Sequence, residues 1–149
     1  MILLNINEVF TKENAKTHIR FPFRVPENEG FSALKISFKY SPKRGSDMRD
    51  MLNQAVQAFQ KYAPYTPDVY AEAAKHMPLT NHITISLDSP VCWLGTKHSP
   101  GYDNNYMIGA QSSPGFLDTE ILPGGWTVTL SFNSVITETV ECSVLITGR

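Results

Sequence analysis

The run from Leu122 to Phe132 constrains the fold more than any other part of the chain. Trp126, Val128, Leu130 and Phe132 alternate with Thr127, Thr129 and Ser131. A period of two places the large side chains on one face of a half-buried strand. Gly124 and Gly125 supply the turn that leads into it. The same period returns at Ile2, Leu4 and Ile6, at Ile19, Phe21, Phe23 and Val25, and at Leu34, Ile36, Phe38 and Tyr40. It recurs at Ile83, Ile85 and Leu87, and at Val140, Cys142, Val144 and Ile146. Two shorter apolar runs, 91–94 and 106–110, lie among the turn formers of 88–125. The polar stretch 7–16 reads as a connection. Pro22 cannot donate to a ladder, so its strand is expected at a sheet edge or with a bulge. Seven or eight short strands with frequent turns predict a mainly β chain, a two-sheet, jelly-roll-like β-sandwich.

One segment changes period. Met48, Met51, Leu52, Ala55, Phe59 and Tyr62 are spaced by threes and fours, the apolar stripe of a helix. Asp47 is placed to cap its start and Pro64 to stop it. Thr66, Pro67 and Asp68 resemble a second helix opening, with a capping hydroxyl and a proline at the first helical position. Val69, Tyr70, Ala73, Ala74 and Met77 then continue to Pro78. A helical insertion is therefore expected at about 46–77. Its apolar stripe should pack against a sheet, with a ligand or partner groove as the other use of such residues.

The chain has 149 residues, the size of one domain, expected to span 1–149. Thirteen basic residues against 14 acidic ones leave no electrostatic footprint for nucleic acid or an anionic membrane. The opening residues carry no basic leader and no apolar run reaches the length of a span, which predicts a soluble, cytoplasmic protein. Cys92 and Cys142 both fall in strand-like runs and read as two buried thiols, with a disulfide as the alternative.

No spacing in the chain points to catalysis. His18, His76, His82 and His98 form no paired motif and have no zinc-type spacing, so no metal site is predicted from them. Asp88, Asp103, Asn104, Asn105 and Asp118 offer oxygen ligands without a calcium-loop pattern and read as turn formers. Ser99, Ser112 and Ser113 stand in plain turns, with no nucleophile elbow around them. Cys92 beside Trp93 reads as an inert thiol. No cofactor is expected. The remaining candidate is a binding surface made by Trp93, Lys97, His98, Tyr102 and Tyr106, aromatic rings with polar edges that suit a small molecule, a glycan or a protein. The competing expectation is that Trp93 and Tyr106 belong to strands and fill the core.

Four segments occur in a familiar order. They are 83–90, ending in Asp88-Ser-Pro90; 93–100, opening on Trp93-Leu-Gly; 108–116, with Ser113-Pro-Gly-Phe116; and 122–130, with Pro123-Gly-Gly-Trp126. Together they resemble the β-sandwich that precedes the catalytic domain in metallohydrolases of the polymerase-and-histidinol-phosphatase (PHP) superfamily. The segment 21–26 and the strand from Leu34 to Tyr40 fit the opening of that module. A looser similarity to bacterial pre-peptidase C-terminal sandwiches implies the same architecture. The PHP resemblance implies an accessory, non-catalytic role through association with a protein partner or with itself. The family's metal ligands belong to a downstream domain, and none of them maps onto residues of this sequence.

Overall fold

The structure is a computed structural model and describes residues 1–98 and 104–149. Among these residues the chain forms eight strands: β1 (Ile2–Thr11), β2 (Thr17–Val25), β3 (Ala33–Ser41), β4 (His82–Asp88), β5 (Trp93–Lys97), β6 (Asn104–Gly109), β7 (Gly124–Ser134) and β8 (Thr139–Gly148). Two helices, α1 (Met48–Tyr62) and α2 (Val69–Ala74), interrupt the series between β3 and β4. No helix among the described residues is long and apolar enough to cross a membrane.

The strands form two antiparallel sheets of four, ordered β1-β8-β3-β6 and β2-β7-β4-β5. In this order β1 pairs with β8, β2 with β7, β3 with β6 and β4 with β5. The first four strands thus run beside the last four in reverse, one long antiparallel ribbon folded over itself, which is the jelly-roll arrangement. The inward faces follow from the period of two. Trp126, Val128, Leu130 and Phe132 from one sheet meet Leu34, Ile36, Phe38, Val144 and Ile146 from the other, all essentially inaccessible to water. β2 lies at a sheet edge, with Pro22 opposite Thr127.

The reading of 7–16 as a connection is overturned. β1 continues to Thr11, with Phe10 paired opposite Val140 and buried, and only Lys12–Asn14 forms a short 3-10 turn. The sequence disguises this because β1 is an edge strand, where Glu8 and Val9 are exposed. Cross-strand pairing to β8 decides the matter in place of an inward-facing pattern.

The helical insertion is present, and its first cap forms as the sequence suggests. Asp47 accepts the amides of Arg49 and Asp50 at 2.9 and 3.0 Å. The second helix is capped by Asp68, which accepts from Ala71 N at 3.2 Å, while the Thr66 hydroxyl donates back to Ala63 O at 2.8 Å. Asp68 reaches this position through a left-handed backbone with φ 46°, a conformation that short polar side chains tolerate.

The apolar stripe does not lie on a sheet. Ala55, Val56 and Ala73 form a small core of their own, flanked by Leu52, Phe59, Val69, Met77 and Leu79. The excursion is fastened to the sandwich at a few points. The Asn81 side chain is buried; its amide donates to Pro42 O and Thr137 Oγ1, both at 2.8 Å, and its carbonyl accepts from Ile136 N at 2.8 Å. Gln54 Nε2 donates to Ile136 O at 3.0 Å, and Met51 is buried close to Gly45 and Ile136.

Candidate functional site

The structure separates the residues expected to form a binding surface. β5 and β6 are edge strands of different sheets. Trp93, at the start of β5, is 55% exposed. Tyr106, in β6, is buried opposite Ile36, and its ring packs 5.6 Å from that of Phe116. One of the two aromatics fills the core and the other does not, so Trp93 and Tyr106 share no surface. Lys97 is half-buried, its stem passing close to Gly115. His98 is exposed, with its ring 3.9 Å from that of His82. Tyr102 lies outside the described residues.

Around Trp93 the chain leaves apolar surface in water. Val91 and Leu117 are 70% and 58% exposed, and Leu117 N donates to Leu94 O at 2.7 Å. The segment holding Leu117 therefore lies directly against β5. Gly95 permits that approach. Its φ is 142°, and a Cβ there would collide with the Gly115 carbonyl. The Ser89 hydroxyl closes the turn before β5, accepting from Cys92 N at 3.1 Å and donating to Cys92 O at 2.9 Å.

The cysteines are both free, and Cys142 alone is buried. Cys92 stands exposed in the turn, because the strand begins one residue later. Burial pushes the Cys142 thiol up to about 12, which leaves it protonated and unreactive.

Lys43 is a polar group that the sequence did not single out. It is 8% exposed, its Nζ has no hydrogen-bond partner among the described residues, and the ammonium lies 3.1 Å from the centre of the Tyr40 ring. Burial pushes its pKa down to about 8. Partial desolvation of His98, followed by the nearby His82 and Lys43, holds the pKa of that imidazole below its ordinary value. The Lys43 amine is enclosed, so it has no access to a substrate in this conformation.

A groove of about 630 Å³ opens between the helical excursion and one end of the sandwich. Ala55, Ala58 and Phe59 of α1 form one wall, Pro78 and Leu79 the next, and Val135 and Ile136 of the β7–β8 loop the third. Lys16, Gln54, His76, His82 and Asn133 place polar groups along it. The groove exists because the two helices pack on each other and leave Phe59 only partly covered. Sequence spacing gave the helical stripe but not this gap, which depends on where the excursion is tied down. Among the described residues no group of three or more His, Cys, Asp or Glu side chains is arranged to hold a metal ion.

No protein family matches the chain, and no curated protein does. Some solved structures match, among them the crystal structure of GEBA250068378 from Sulfurospirillum deleyianum. That protein is 14% identical over 98% of this chain and 99% of its own, with a TM-score of 0.35. Similarity of that degree says nothing about a site.

Proposed function

We propose that the chain is a non-catalytic, jelly-roll-like β-sandwich that works by associating with a protein, a PHP-type metallohydrolase being the partner its sequence resemblance implies. The observation that carries this reading is the edge at β5. Trp93, Val91 and Leu117 are all more than half exposed there, beside a strand that ends its sheet. Large aromatics left in water at an edge are characteristic anchors of protein interfaces, where they become buried on association. The turn at 89–92 and the segment hydrogen-bonded to Leu94 O hold the patch in place.

Co-expression with a stand-alone PHP-type metallohydrolase tests the reading. The two proteins are expected to co-purify, and Trp93→Ser is expected to abolish the complex while the melting temperature stays near wild type. Self-association through the same edge is the related outcome, read by light scattering as a dimer that the same substitution dissolves. A chain that remains monomeric alone and beside the hydrolase contradicts the proposal.

A further inference from the structure

We propose that the groove between the helical excursion and the sandwich binds a small amphipathic anion, a molecule with an apolar chain or ring and a carboxylate head. The site is separate from the β5 edge, so neither proposal depends on the other. Its volume of about 630 Å³ suits one small organic molecule. Phe59, Leu79, Val135 and Ile136 supply an apolar wall for the body of such a ligand.

The charge pattern selects the head group. Lys16, His76 and His82 line the groove, and no Asp or Glu is among the described residues lining it. The nearby carboxylates are already engaged. Asp50 accepts from Gln54 Nε2 at 2.7 Å, and Glu72 binds Lys75 at 2.6 Å with His76 at 3.8 Å. Lys16 keeps its ammonium at the mouth, where it donates to the Tyr62 hydroxyl at 2.8 Å and retains further donors. A carboxylate entering the groove meets the Lys16 ammonium, with the ring nitrogens of His76 and His82 as further polar partners. A cationic head meets no carboxylate among the described residues lining the groove, and a neutral one forgoes the charge-assisted bond to Lys16.

Two-dimensional amide NMR with octanoate, octan-1-ol and octyltrimethylammonium as probes tests this. Octanoate is expected to give saturable shifts at Ala58, Phe59, Val135 and Ile136, with octan-1-ol weaker by about tenfold and the ammonium weaker still. Ala58 is an exposed helix position. Ala58→Trp should fill the groove and remove the shifts. Should that variant not fold, Ala58→Glu serves instead, lowering octanoate affinity with little effect on octan-1-ol. The proposal is overturned if octanoate gives no saturable shifts, if the neutral or cationic probe binds as tightly, or if the octanoate shifts survive both variants.

Discussion

The Lys43 ammonium rests 3.1 Å above the centre of the Tyr40 ring, buried and without a hydrogen-bond acceptor among the described residues. Across the ladder Tyr40 stands opposite Cys142, whose thiol is buried as well. Lys43, Tyr40 and Cys142 are thus three ionisable groups at one place in the core, and burial favours the neutral form of each. The ring face recovers part of the desolvation cost of the cation.

Their effects on stability run in opposite directions with pH. Lys43 titrates at about 8 in the folded protein against 10.5 ordinarily, so between these values the unfolded chain holds more protons and stability rises with pH. Cys142 titrates at about 12 against 9.0, so above pH 9 the unfolded chain holds fewer protons and stability falls. Urea unfolding should therefore show a rise confined to about pH 8–9. Lys43→Met should flatten that rise and add on the order of 2 kcal/mol at pH 7. Cys142→Ala should extend the rise toward pH 10. A wild type whose stability is flat from pH 7 to 9 contradicts the burial of the amine.

Gly95 is the point where β5 accepts the segment 113–117 against it. Gly95→Ala places a methyl group on the Gly115 carbonyl at a φ of 142°. The expected loss is about 2–4 kcal/mol in chemical unfolding. Gly30 also has a positive φ, but the space around it is open, so Gly30→Ala should cost less, about 1 kcal/mol.

Asn81 ties the base of the helical excursion to the β7–β8 loop, its side chain joining Pro42 to Ile136 and Thr137. Asn81→Ala leaves the buried Ile136 amide without its acceptor and should cost about 2–3 kcal/mol. Hydrogen exchange should accelerate across α1 and α2 well before it does in β7. Equal acceleration throughout the chain would show that the excursion does not unfold separately.

Much of the fold was legible because inward-facing residues alternate. Leu34 to Tyr40, Ile83 to Leu87 and Trp126 to Phe132 each show the period of two, and each faces the core. The helix at Met48–Tyr62 was equally visible, with Asp47 as its cap. What the pattern hides is anything set by contacts between distant segments. β1 extends through Glu8 and Val9 because β8 pairs with it, although both side chains are exposed. Lys43 resembles a surface residue in sequence and is buried in the fold, with its ammonium over the Tyr40 ring. Of the aromatic candidates, Trp93 and Tyr106 part because their strands enter different sheets. The groove was legible least of all, since its walls come from four separated segments.

The two thiols should differ sharply in reactivity. Cys92 is exposed, whereas Cys142 is enclosed and held protonated. A disulfide reagent at pH 8 should modify one thiol per chain within minutes and the second only on unfolding. Mass spectrometry should place the fast adduct on Cys92, and rapid loss of both thiols from folded protein would contradict the packing at Tyr40 and Lys43.

The most direct test of association through the β5 edge is the accessibility of Trp93 within a complex. Trp126 is buried, so Trp126→Phe leaves Trp93 as the sole fluorescent tryptophan. Acrylamide should quench its emission strongly in the isolated chain. In the complex proposed with a PHP-type metallohydrolase, or in a self-associated form at high concentration, the quenching constant should fall several-fold. A complex in which Trp93 is quenched as readily as in the free chain contradicts the account.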